Sequence, residues 1–134
     1  MTNMLQANSK ITSLAMPLGR LLIALIFVLS GFGKIFDYGN TAGYMEAMGV
    51  PGSLLPLAII AELVGGIAII IGWQTRLAAL ALAGFSVASA VLFHADFADQ
   101  NQMVNFMKNF AIAGGFLFLV ANGAGAYSLD NRKT

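Results

Sequence analysis

The chain has 134 residues, 58% of them hydrophobic and only 10% charged, with a mean hydropathy of +0.79. Soluble domains carry about 25% charged residues, so seven Lys/Arg and six Asp/Glu cannot coat a globule this apolar, and a soluble enzyme is excluded. A net charge of +1 supplies no phosphate-binding surface and excludes a nucleic-acid binder, while the absence of Cys removes disulfides, Fe–S ligation and any thiol-redox step by this chain alone.

A helix crossing about 30 Å of hydrocarbon needs about 20 mostly apolar residues. In chain order, four segments meet that demand: residues 14–36, 53–73, 76–95 and 105–121, the last extending up to a turn at either end. The chain therefore reads as one all-α domain over residues 1–134, an integral-membrane four-helix bundle. The first segment follows Lys10 like a secretory signal, but no small-x-small cleavage site closes it and three spans follow, so it reads as a retained helix. Turn-forming residues separate the spans. DYGNTAG at 37–43 opens the first loop, YMEAM at 44–48 reads as a short interfacial helix, and GVPG at 49–52 leads into span two. GWQTR at 72–76 is a tight hairpin, HADFADQNQ at 94–102 joins spans three and four, and the chain exits through GAGAYSLD at 123–130.

Lys10, Arg20, Arg76, Arg132 and Lys133 fall on one side of such a bundle, against Lys34 and Lys108 on the other. Basic residues accumulate on the cytoplasmic side, so both termini are expected there, with loops one and three outside. Tyr38, Tyr44, Trp73 and Tyr127 fall at the expected interfaces, where amphipathic rings sit.

Ionisable groups within spans are costly and turn into the bundle. Glu62 is the sharpest case, the one acid inside a span. At about 100° per residue, Arg20, Ala24, Phe27, Gly31 and Lys34 share one stripe of span one, and Ala58, Glu62, Gly66, Ile69 and Trp73 one stripe of span two. Each stripe holds a Gly that admits close packing. Packed together they set Glu62 between Arg20 and Lys34, and a rise of about 1.5 Å per residue favours Arg20 as its partner. Such a pair is either architectural, fixing helix register, or a proton-accepting and ligand-binding carboxylate. His94, the single His, lies with Lys108 and Asn109 toward the outer ends of spans three and four. Together with Lys34 and Glu62 these residues either line a polar pocket opening outward or form ordinary interfacial helix ends. No His/Cys/Asp/Glu spacing makes a metal site, one His cannot supply two axial haem ligands, and GFGK at 31–34 lacks the spacing of a phosphate loop.

Arg20 with SGFGKI at 30–35, YMEAMGVPG at 44–52, ELVGGIAI at 62–69, GWQTR at 72–76, FH at 93–94, FMKN at 106–109 and GAGAYSLD at 123–130 carry a family resemblance. The chain resembles the DoxX family of small bacterial membrane proteins over nearly everything from Arg20 to Asp130. One departure is Ala124, where the family often has Pro between two glycines. The resemblance implies a four-helix bacterial inner-membrane protein with polar residues turned inward. Family associations with a terminal quinol oxidase, with thiosulfate oxidation and with redox-defence scaffolds imply a quinone-linked membrane subunit that works with redox partner proteins.

Two functions are therefore expected. In the first, the chain is a redox-associated subunit or scaffold in the bilayer, self-associating through Gly-rich faces, with quinone as the cofactor the resemblance implies. In the second, it is a carrier or enzyme for a small lipophilic molecule, with Glu62 as the candidate catalytic proton acceptor and Arg20, Lys34, His94, Lys108 and Asn109 as ligand-binding candidates. A proton pathway is disfavoured by the apolar stretch between Glu62 and Trp73.

Overall fold

The computed structural model describes residues 2–132, so Lys133, counted in the charge bias, lies outside the described residues. The described residues form five α-helices and one 3-10 turn: α1 (Thr2–Phe36), α2 (Tyr38–Ala47), the turn Gly52–Leu54, α3 (Leu55–Ile71), α4 (Thr75–Phe93) and α5 (Gln100–Asn122). Four helical stretches are long and apolar enough to cross a membrane: Lys10–Phe36, Gly52–Ile71, Thr75–Phe93 and Gln100–Asn122. They run alternately up and down. One end carries the 72–74 hairpin and the exit segment 123–131; the other carries α2 and the 94–99 connection.

The expected spans agree with these membrane-capable stretches to within four residues, except the fourth, although α1 itself begins twelve residues before the expected 14. The α5 helix begins five residues before the expected 105, because Asp99 caps it by accepting the Asn101 N–H at 2.9 Å. The 37–43 stretch, read as loop, is also helical from Tyr38 onward. Asn40 Nδ2 donates to Asp37 Oδ1 at 2.8 Å and Thr41 Oγ1 to the Asp37 carbonyl at 2.9 Å. These bonds, with burial of Met45 against Val50, Leu55 and Ile59, outweigh the weak propensity of Gly39 and Gly43.

Close approach at glycines sets the packing of α1 on α3. A Cβ at Gly31 would strike Leu63 at 2.7 Å, and one at Gly66 would strike Val28 at 2.8 Å. The α4 helix packs along α5 and against α3, whereas α1 and α5 touch only sparsely, so the seam between them is the loosest in the bundle. The main core sits mid-bundle around Phe27, Ile69, Leu82 and Phe116. Most exposed large side chains on the spans are aliphatic or aromatic, as a hydrocarbon-facing surface requires.

At the hairpin end, Gly72 adopts φ +73° and closes α3. The N-cap residue of α4, Gln74, sits at φ 49° and offers no capping side chain. Asp130 supplies the cap from the far end of the chain: its Oδ1 accepts from Gln74 N at 2.8 Å and its Oδ2 from Thr75 N at 2.9 Å. Leu129 N donates to the Ile71 carbonyl and Asp130 N to the Gly72 carbonyl, fastening the exit segment across the hairpin, with Ala124 buried beneath it.

Candidate functional site

Arg20 is buried on α1 at the hairpin end, far from Glu62. Its Nη1 donates to the carbonyls of Ile69 at 3.2 Å and Ile70 at 3.0 Å, and its Nη2 to the Tyr127 carbonyl. The guanidinium thus neutralises the free carbonyls at the C-terminus of α3, where the helix dipole is negative, and ties the exit segment to it. The expected Arg20–Glu62 pairing is overturned.

Glu62 pairs instead with Lys34, whose Nζ bonds to its Oε1 and donates to Ser30 Oγ at 2.9 Å. Helix register gives the reason. Because 52–54 forms a separate turn, α3 starts at Leu55 and Glu62 lies about 10 Å from its beginning, at the level of Gly31 on α1. Lys34 is one turn away from Gly31, whereas Arg20 is about 16 Å back along the helix. The carboxylate is nearly inaccessible, with 3% of the side chain exposed against 26% for Lys34.

Five of the six predicted site residues do come together. Lys34 of α1, Glu62 of α3, His94 at the end of α4 and Lys108 and Asn109 of α5 line one polar pocket of about 220 Å³. Ser30, Ser86 and Ser89 complete its polar lining, and the sequence reading passed over all three. Their signal was present: Ser86 and Ser89 lie one turn apart on an otherwise apolar helix. Ser86 is satisfied by the Leu82 carbonyl at 2.8 Å. An aromatic floor closes the pocket toward mid-bundle, where the ring centroids of Phe27 and Phe85 lie 6.4 Å apart and those of Phe27 and Phe116 5.5 Å apart.

A second, larger cavity of about 470 Å³ adjoins it between α3 and α4, roofed by α2. Its wall is apolar: Met45, Val50, Leu57, Ala61, Leu92 and Phe93 are among the lining residues. Tyr44 stacks on Phe93 at 5.7 Å under the roof. Leu54, Leu57 and Leu92 are exposed on the outer surface, so this chamber opens sideways toward hydrocarbon. Lys34, Phe85, Ser89 and His94 line both spaces and form the boundary between them. Partial burial, and then the Lys108 ammonium, push the His94 imidazole below the usual histidine range, which leaves it neutral near pH 7, with one N–H donor and one acceptor.

Among the described residues no group of three or more His, Cys, Asp or Glu is placed to hold a metal ion. The arrangement offers instead hydrogen-bond donors and a charged pair beside an apolar chamber of ligand size, a volume within the range of about 300–1,000 Å³ seen for small-molecule sites.

The DoxX family model matches residues 15–95, which hold Lys34, Glu62 and His94 but stop short of Lys108 and Asn109. Inner membrane protein YqjF of Escherichia coli (strain K12) is 48% identical over 121 residues, covering 90% of this chain and 93% of that protein. Inner membrane protein YphA of the same organism is 36% identical over 123 residues, covering 86% and 87%. An uncharacterized protein of Haemophilus influenzae is 32% identical over 124 residues, covering 84% and 86%. No solved structure gives a significant match. With four helices able to span a bilayer and relatives named for the inner membrane, the chain is a multi-pass inner-membrane protein and belongs to the DoxX family.

Proposed function

We propose that the protein binds a small lipophilic molecule with an oxygen-bearing head group, taken from the bilayer into the two-part cavity lined by all five helices. One observation carries this reading: an apolar chamber open to hydrocarbon shares four lining residues with a pocket of polar side chains. A lipophile in the chamber would bring its head group to Ser89, His94, Lys108 and Asn109. Glu62 is engaged by Lys34 through Oε1 and its side chain is only 3% exposed, so a ligand has little access to it. This favours the pair as a framework that orients the pocket over Glu62 as a catalytic base.

The redox-associated subunit or scaffold implied by the family resemblance is one form of this proposal, with a quinone as the lipophile and redox partner proteins or a second copy against the lipid-facing flanks. A carrier of a non-redox lipophile is the other. Mass spectrometry of the organic extract from protein purified in mild detergent tests them together. About one lipophile per chain is expected. A quinone would assign the redox form, another lipophile the carrier form, and an empty protein would overturn both.

A further inference from the structure

We propose that the cavity's natural ligand is a singly charged amphipathic anion, its head group held by Lys108 and Asn109 and its hydrocarbon body lodged in the apolar chamber between α3 and α4. This rests on the ligand-binding reading above and specifies the charge of the occupant.

Charge balance in the pocket carries the inference. Two ammonium groups, Lys34 and Lys108, face a single carboxylate, Glu62. Lys34 is neutralised, since Lys34–Glu62 is the one ion pair among the described residues. Lys108 therefore brings an uncompensated positive charge to the polar end of an otherwise apolar chamber. The loop carboxylates Asp96 and Asp99 make no ion pair with Lys108 among the described residues. Asp96 Oδ1 accepts from Ala98 N at 3.2 Å, and Asp99 Oδ1 accepts from Asn101 N at 2.9 Å. Partial burial, and then the Lys108 ammonium, hold the His94 imidazole toward its neutral form, so His94 adds a hydrogen-bond donor and no third cation.

An anion placed there gains a charge-assisted hydrogen bond and supplies the Lys108 ammonium with a counter-charge. A neutral head group of the same size would leave Lys108 without a counter-charge. The chamber adds the second requirement, because its lining rewards burial of hydrocarbon and offers little to a short hydrophilic anion.

Native mass spectrometry of the protein released from mild detergent, presented with dodecanoate, dodecanol or butyrate, tests both requirements. Dodecanoate is expected to bind at one per chain, dodecanol about tenfold more weakly, as loss of one hydrogen bond to a charged group implies, and butyrate not detectably. Lys108 is exposed, so Lys108→Gln keeps the fold. It should bring dodecanoate down to about the level of dodecanol. Equal binding of dodecanoate and dodecanol by the native protein would overturn the charge and leave the ligand site standing. Butyrate binding as well as dodecanoate would overturn the role of the chamber, and failure of all three, with an empty organic extract, would overturn the ligand site itself.

Discussion

At the scale of single residues, the Lys34–Glu62 pair is the main commitment of the loop end, the end of the bundle that carries α2 and the 94–99 connection. Removing one partner of a buried ion pair leaves a charge that must be neutralised or desolvated, whereas replacing both with apolar groups is often nearly neutral. Lys34→Met is therefore expected to lower stability in detergent by about 3 kcal/mol, and the double variant Lys34→Met with Glu62→Leu to recover most of that loss. Thermal unfolding of the three proteins checks this, and an unaltered midpoint in Lys34→Met would dissociate the pair from stability. Arg20 makes a different prediction. Its forked guanidinium bonds three carbonyls, which a Lys point charge cannot reproduce, so Arg20→Lys should cost about 2 kcal/mol in the same assay. The sequence made both residues visible as buried charges but could not pair them. The partners of Arg20 are backbone carbonyls at the end of α3 and in the exit segment, and no side-chain pattern announces them. Depth favours Arg20 over Lys34 in the sequence because the 3-10 turn ahead of α3, which fixes the depth of Glu62, cannot be separated there from the span.

At the scale of elements, α4 depends on a cap from 55 residues away, where Asp130 accepts the Thr75 N–H. Burial opposes ionisation of Asp130, yet hydrogen bonds from Thr75 and Gln74 and the nearby Arg20 charge outweigh it, holding the carboxyl below the usual aspartate range. A carboxyl with a depressed folded-state pKa contributes stability above its unfolded value, about 4, and loses it as pH falls further. Asp130→Asn should accordingly cost about 1 kcal/mol at neutral pH, the usual worth of an N-cap. The gap between variant and native protein should narrow below about pH 4, as unfolding midpoints measured across that range would register. A gap independent of pH would remove the carboxylate from the explanation. Gly72 works at the same junction. With φ +73°, and with the Ser128 side chain and the Arg20 guanidinium where a Cβ would lie, Gly72→Ala should loosen hairpin and exit segment together. The four spans were legible because long apolar runs have one structural outcome in a bilayer. The α2 helix was only partly legible, since packing of Met45 and the Asp37 side-chain bonds override the loop-like composition of 37–43.

At the scale of the whole molecule, the fold separates two jobs along the bundle. The hairpin end is tied by Arg20, Asp130 and the exit segment, while the loop end keeps a polar pocket and an apolar chamber that touch. The clustering of Lys34, Glu62, His94, Lys108 and Asn109 was one of two readings open to the sequence, which sets four of them at the outer ends of the spans with Glu62 deeper beneath. The chamber could not be anticipated, because it arises from the way α2 lies over α3 and α4. The Lys/Arg bias predicts that the loop end faces away from the cytoplasm. Since the chain has no Cys, Asp99→Cys should react in whole spheroplasts with a membrane-impermeant maleimide and Gln74→Cys only after lysis; the reverse pattern would invert the orientation. The amount of lipophile recovered per chain, compared between the native sequence and Ala61→Phe, bears on the cavity most directly. Ala61 lines the apolar chamber, and a ring placed there takes up part of its volume. About one lipophile per native chain, and little in Ala61→Phe at an unaltered unfolding midpoint, is the expected result. Equal recovery from both proteins would contradict the chamber as the ligand's seat.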